Sequence, residues 1–297
     1  MKLGIVIPYY KIAFFEETLK SLAQQTDKRF KVYVGDDSSP ESPKKLLSNF
    51  KNKFDLQYHR FDDNLGSNSL TQQWERCISV VNEEWIMILG DDDILSETVV
   101  EEFYNSLPKL GDIKVVRLSS CKIDNQSKII SHTFFHPIIE SSIDFLFRHE
   151  RNSLTEYIFK REQINRIGFK NFHLAWCSDI LGVLEFSNFG LVYSINNAIA
   201  YIRITALSIS GNQENIKLKN LASEQFSKYI IFQKFRFFNK SQRLKIMYGY
   251  EVAIKRNRKL KFADWFVLFK LYFQNFQISS LIKFTRRFLI NIISVKK

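Results

Sequence analysis

Three consecutive aspartates, Asp91-Asp92-Asp93, end the apolar run Trp85-Ile86-Met87-Ile88-Leu89-Gly90, and a second acidic cluster, Asp36-Asp37-Ser38-Ser39, ends the shorter run Val32-Tyr33-Val34-Gly35. Adjacent carboxylates repel one another unless a cation or hydrogen-bond donors lie among them. A hard divalent ion, Mg²⁺ or Mn²⁺, held by such oxygens neutralises a diphosphate and orients it for departure. The bland reading of the triplet is a solvated turn that caps the next helix, because aspartates favour helix N-termini. Asp36-Asp37 suits a different task, accepting from a nucleotide base N–H or ribose hydroxyls at a strand end. Alone it reads more commonly as a turn-forming cluster; the pairing of the two clusters raises its weight.

The segments between them define the scaffold. Residues 3–7 form a continuous, β-branched apolar run stopped by Pro8, the pattern of a buried parallel strand. Phe14, Phe15, Thr18, Leu19, Leu22 and Ala23 follow at helical spacing. Further strands are expected at 31–35, 56–61 and 84–90, with helices at 70–80 and at 96–107, the latter capped by Ser96 and stopped by Pro108. Alternation of this kind implies right-handed βαβ units and a mainly parallel sheet, with ligands beyond the carboxyl ends of its strands. Both acidic clusters fall at such ends. Beyond residues 113–118 the alternation weakens into strand-like stretches at 129–135 and 154–159 and a helical stretch at 178–189, where an acceptor site would be built.

Composition narrows the class. With 297 residues, 45% of them apolar, and only 10 Gly and 5 Pro, the chain is expected to fold around a substantial core. Cys77, Cys121 and Cys177 are an odd number without a C-x-x-C pair, which argues against a zinc site or disulfide framework and fits a reducing cytosol. The first residues are too short an apolar run for a signal peptide. Net charge is +12, but residues 225–297 hold 17 Lys and Arg against Glu251 and Asp264, a local +15, and the remainder sums to −3.

Taken in order, Ile5-Val6-Ile7-Pro8-Tyr9-Tyr10, Gly35-Asp36-Asp37-Ser38-Ser39, Asn64-Leu65-Gly66 and Ile88-Leu89-Gly90-Asp91-Asp92-Asp93 resemble the signatures of glycosyltransferase family 2. The resemblance implies an α/β, Rossmann-like GT-A fold and an inverting single displacement from a nucleotide sugar, usually a UDP-sugar, with Mg²⁺ or Mn²⁺. It implies that Pro8 and Tyr10 line the base and ribose pocket, that Asn64 and Gly66 also belong to the donor site, that Asp37 meets the uridine and Asp91 the ribose side, and that Asp92 and Asp93 meet the cation. Many family members carry an acid where Gly90 stands, so which two aspartates bind metal stays open. The family's base is an acid at a helix start, matched here by Asp179 in Trp176-Cys177-Ser178-Asp179, with Ser178 where a glutamate is usual. Asp179 would remove the acceptor proton; a helix cap is the alternative. Tyr201-Ile202-Arg203-Ile204 is similar to the segment that closes over the diphosphate, and the paired donors of Arg203 match phosphate oxygens. An exposed strand arginine is the alternative there.

Residues 1–210 are thus expected to form the catalytic domain, 1–110 its nucleotide half and 111–210 its acceptor half, followed by a helical, basic, aromatic region at 211–297. In that region Lys and Arg alternate with aromatics at helical spacing, the pattern of helices that lie in a lipid interface. The expectation is a cytoplasmic enzyme at the inner face of the cytoplasmic membrane, acting on a saccharide acceptor, including one carried on a polyprenyl lipid, in bacterial surface polysaccharide synthesis. Nucleic acid is not expected as a partner, because the catalytic half is acidic where phosphates would approach. The rivals are a nucleotidyltransferase and a non-catalytic sugar-nucleotide or nucleic-acid binding module. Pro8-Tyr9-Tyr10-Lys11 lacks the Gly-rich loop that the former needs.

Overall fold

The computed structural model describes residues 2–148, 153–206, 208–258, 261–275 and 277–293. In chain order the first unit contains β1 (Leu3–Tyr9), α1 (Phe15–Ala23), β2 (Phe30–Asp36), α2 (Lys44–Ser48), β3 (Asp55–Arg60), α3 (Leu70–Ile78), β4 (Trp85–Ile88), β5 (Ile94–Leu95) and α4 (Val99–Ser106). Then come β6 (Val115–Ile123), β7 (Ile139–Ser141), α5 (Ser142–Phe147), β8 (Tyr157–Lys160), α6 (Arg161–Ile167), α7 (Ser178–Phe186) and β9 (Leu191–Arg203).

Among the described residues these strands form one sheet in the order β3-β2-β1-β4-β8-β6-β9-β5, with β7 also paired to β9. β1 runs parallel to β2 and β4, and β2 parallel to β3. β8 is antiparallel to both β4 and β6, and β9 is parallel to β6. The sheet is thus parallel through its first half and mixed through its second. The central strands are apolar on both faces because helices cover both: Ile5, Ile7, Met87 and Leu89 pack with Phe15, Leu19 and Phe103 on one side, and Val6, Ile86 and Ile88 with Ile78, Phe159 and Phe186 on the other. Pro8 costs no ladder bond, since β4 pairs with β1 only as far as Val6.

Several expected elements differ. Residues 129–135 make only single bridges, Ile123 with Ile129 and Ser120 with Phe134. The stretch 154–159 opens as a one-turn helix, Leu154–Glu156, before becoming β8. Ser96 does not cap α4; its hydroxyl accepts from Ile199 N–H at 2.9 Å, and the helix begins after Thr98. The helix expected to reach 189 stops at Phe186, and Asn188 and Phe189 take left-handed φ values of 54° and 58°.

The second compact unit joins residues 172–177 to 214–297. It contains α8 (Ile216–Tyr229), α9 (Lys240–Asn257), α10 (Phe262–Gln274) and α11 (Ile278–Ile293). Glu251 of α9 is buried and bonded to Arg287 of α11 at 2.8 and 2.9 Å and to Lys255 at 2.8 Å, so this anion is compensated. Among the described residues no helix is long and apolar enough to cross a membrane.

Candidate active site

Strand directions bring the candidate residues to one edge. The carboxyl ends of the parallel strands β1, β2, β3 and β4 lie there, and so does that of β9, because two antiparallel steps through β8 restore the direction of β4. The start of β8 lies there too. Pro8 and Tyr10 end β1, Asp37 follows β2, Asn64 and Gly66 follow β3, the aspartate triplet follows β4, and Arg203 ends β9. An open depression of about 670 Å³ lined by Asn82, Glu84, Lys160 and Arg161 sits at the start of β4, the opposite edge, where Lys160 pairs with Glu84. It is remote from the carboxylates.

Asp36 and Asp37 face different ways, as neighbours at a strand end must. Asp36 is fully buried and accepts from Tyr58 Oη at 2.6 Å, Arg60 at 2.9 Å and Ser39 N–H at 2.8 Å, which fastens the end of β2 to β3. Asp37 reaches across to the loop after β3. It accepts from Leu65 N–H and Gly66 N–H, each at 2.9 Å, and pairs with Arg76 of α3. Burial raises its pKa, and the Gly66 bond and Arg76 oppose the shift. Gly66 is needed for this approach, because a Cβ there would collide with Asp37 Oδ2. Asn64 closes the same loop by accepting from Ser67 N–H at 3.0 Å. Tyr10, at the same edge, is 37% exposed.

The triplet divides its labour. Asp91 Oδ2 accepts from Tyr10 N–H and Lys11 N–H, both at 2.8 Å, tying the end of β1 to the turn after β4. Asp93 is buried, accepting from Arg203 N–H at 2.9 Å and from the Thr155 hydroxyl. A methyl group added at Gly90 would lie 3.1 Å from Asp92 Oδ1 and 3.0 Å from Asp93 Oδ2, so both oxygens turn over the bare glycine. Burial raises Asp91 to about 6, helped by Asp92; burial and the charge of Asp93 raise Asp92 to about 7. This is the electrostatics of buried carboxylates that also repel one another.

These shifts have a definite sign. Asp91 and Asp92 hold protons more tightly folded, at about 6 and 7, than unfolded, so their contribution to stability is full below about pH 4 and is lost as pH rises through those values. In EDTA the melting temperature should therefore fall between about pH 5 and pH 8 more steeply than that of Asp92→Asn. Equal slopes for the two proteins would remove the carboxylate cluster as the cause.

Arg203, whose alternatives from sequence were a diphosphate ligand or an exposed strand residue, has a buried guanidinium. Nε donates to Asp92 O at 2.8 Å, Nη1 to Asp124 O at 2.8 Å, and Nη2 to Glu17 Oε2 at 2.8 Å and Ser127 Oγ at 3.0 Å. The group lies 4.2 Å from the Phe14 ring centroid. It is not an exposed strand arginine, and in this conformation its donors fix the aspartate turn rather than face a ligand. Glu17 is 41% exposed, so that ion pair contributes little, and the buried carbonyl bonds carry the effect. Arg203→Lys, which cannot span these acceptors, should lower unfolding free energy by about 2–4 kcal/mol in urea titration. A loss below about 0.5 kcal/mol would show that the clamp contributes nothing.

Asp179 lies in the first turn of α7, and its Oδ1 accepts from Ile180 N–H at 2.8 Å. Ser178, in the place of the usual glutamate, donates to Lys170 O at 2.6 Å and is buried. Burial drives the Tyr157 hydroxyl well above its ordinary pKa, with the charges of Glu156 and Asp179 adding to the rise. The segment 155–157 therefore runs from the Asp93 carboxylate to the electrostatic neighbourhood of Asp179. The approach to Asp179 is strained: Leu174, Ala175 and Cys177 take φ values of 57°, 51° and 69°, and Ser38, next to Asp37, takes 54°. Left-handed backbone at non-glycine residues costs about 1 kcal/mol or more each and gathers at functional sites.

Sequence reasoning missed Arg76, Thr155 and the Asp36–Tyr58–Arg60 cluster. Their partners lie 39, 62 and 22 to 24 positions away, beyond any local pattern.

The α/β architecture agrees with the comparisons. The model of the family described as glycosyl transferase family 2 matches residues 4–179. The chain belongs to this family and is a glycosyltransferase, which sets the nucleotidyltransferase reading aside. Similar solved structures include Staphylococcus aureus TarS, 14% identical with a TM-score of 0.58 over 86% of this chain and 49% of that one. They also include TarS 1–349 with UDP-GlcNAc, 12% identical with a TM-score of 0.60 over 91% and 84%, and with UDP, 14% identical with a TM-score of 0.58 over 86% and 81%. The chain spans about half the length of the longer TarS structure. No curated protein matches it.

Proposed function

We propose that this glycosyltransferase takes a UDP-sugar as donor, holds its diphosphate through Mg²⁺ or Mn²⁺ at Asp92 and Asp93, and transfers the sugar with inversion to a saccharide hydroxyl deprotonated by Asp179. The observation that carries the reading is the convergence of Asp92 Oδ1 and Asp93 Oδ2 over Gly90, in a cluster whose carboxylates are raised by burial and then by one another's charge. The oxygen donor set suits a hard cation. Among the described residues no three His, Cys, Asp or Glu side chains form a cage that could hold a metal ion, so water and substrate phosphate would have to complete its shell. Bound there, the ion would neutralise the departing diphosphate.

The chain's own groups do the rest. Asp37, braced by Arg76 and the Leu65 and Gly66 amides, shapes the base pocket with Pro8, Tyr10 and Asn64. Asp91 bridges β1 to the triplet on the ribose side. The UDP assignment is supported by the fold-level likeness to TarS, solved with UDP and UDP-GlcNAc. The acceptor site lies within 111–210. The acceptor is a saccharide on a polyprenyl lipid, for surface polysaccharide, and the enzyme works at the inner face of the cytoplasmic membrane, held there by its basic C-terminal helices.

A thermal-shift panel of nucleotide sugars tests the donor. Ligand at a hundred times its Kd stabilises the native state by about 2.7 kcal/mol. A UDP-sugar with Mn²⁺ should raise the melting temperature, and EDTA should abolish the rise. A rise with GDP- or CMP-sugars alone would overturn the donor assignment.

A further inference from the structure

α10 and α11 present the same pattern twice. Phe262, Phe266 and Phe273 on α10 are 72%, 56% and 59% exposed, and Ile278, Ile282 and Leu289, at identical intervals on α11, are 51%, 65% and 52% exposed. The buried residues Leu268 and Tyr272 likewise correspond in position to Phe284 and Phe288. Trp265 stacks on Phe288 at 5.2 Å and Tyr272 on Phe284 at 5.4 Å, so the two helices are antiparallel and meet along these buried seams. At about 100° per residue each exposed stripe lies about 120° around from its seam, in the same rotational sense. In an antiparallel pair, equal rotations from facing seams carry both stripes to one side of the hairpin. The opposite side is taken by α9, through Glu251 and Arg287.

Cations border this apolar face. Lys270 and Arg286 occupy the same position in the two patterns, about 60° beyond each stripe on the outer flank. Both are exposed, and neither pairs with a carboxylate among the described residues. A second copy of the chain would bring these cations against their like. An anionic surface complements them, and the local charge of +15 over residues 225–297 points the same way.

We propose that the α10–α11 hairpin lies flat on an anionic lipid surface, with Phe262, Phe266, Phe273, Ile278, Ile282 and Leu289 immersed and Lys270 and Arg286 at the headgroups. This names the surface for the membrane attachment proposed above and rests on it. Interfacial helices of this composition bury their apolar face to about 5–10 Å without crossing.

The full chain is mixed with vesicles of phosphatidylcholine alone or with phosphatidylglycerol, and flotation is measured. The wild type should float with the anionic vesicles and lose binding in high salt. Each surface cation is worth about fivefold in partitioning, so Lys270→Gln and Arg286→Gln together should weaken it about twenty-five-fold. Phe266→Ser, Phe273→Ser and Ile282→Ser together should abolish flotation while circular dichroism and donor hydrolysis stay unchanged. If the wild type floats and the serine variant floats equally, membrane attachment stands and this face is wrong. If the wild type does not float, both fail. Conversion of a dimer to a monomer by the serine substitutions, with flotation unchanged, would make a second copy the occupant and overturn the proposal.

Discussion

Asp179→Asn is expected to lower the rate of transfer by roughly 10²–10⁴-fold, the range that a positioned general base contributes, with donor affinity unchanged. Asparagine keeps the carbonyl oxygen that accepts from Ile180 N–H, so the start of α7 should survive. What it lacks is a site for the acceptor proton. Single-turnover transfer with a UDP-sugar separates this from a folding defect, since binding and melting temperature should match the wild type. Turnover within about threefold of wild type would remove Asp179 as the base.

Asp92→Ala is expected to erase the Mn²⁺-dependent part of donor binding and to lower kcat by roughly 10²–10³-fold, the scale of losing one preorganised electrostatic partner of the leaving group. The backbone carbonyl that Arg203 Nε grips is retained, so the turn should hold. Removing a raised-pKa carboxylate should also stabilise the metal-free chain near neutral pH. Calorimetric titration with UDP in Mn²⁺ and in EDTA distinguishes the cases: the two proteins should differ in the first and agree in the second. A loss that is equal in both buffers would make Asp92 a direct nucleotide contact instead.

The half of the fold that was legible is the half whose strands are buried on both faces. Leu3, Ile5, Val6 and Ile7 in β1 and the run from Trp85 to Leu89 declare themselves as unbroken apolar stretches, because helices cover both sides. β9 was hidden for the converse reason. Its Ser194, Asn196 and Asn197 break the apolar pattern at the bulge where the β6–β9 register shifts. Asn196 is accommodated only through distant partners, accepting from Ser119 Oγ at 2.9 Å and His136 N–H at 3.1 Å. The acidic clusters were visible because each ends a readable strand. The conformation of Arg203 was not, since its acceptors come from α1, the aspartate turn and the loop after β6, which only the folded sheet gathers.

Diffraction from crystals grown with UDP and Mn²⁺, recorded at the manganese edge, bears on the central claim most directly. A single anomalous peak within about 2.0–2.3 Å of Asp92 or Asp93 oxygens and of the diphosphate is the predicted result. UDP bound at the strand edge with no peak beside these carboxylates, or with manganese held elsewhere, would contradict it.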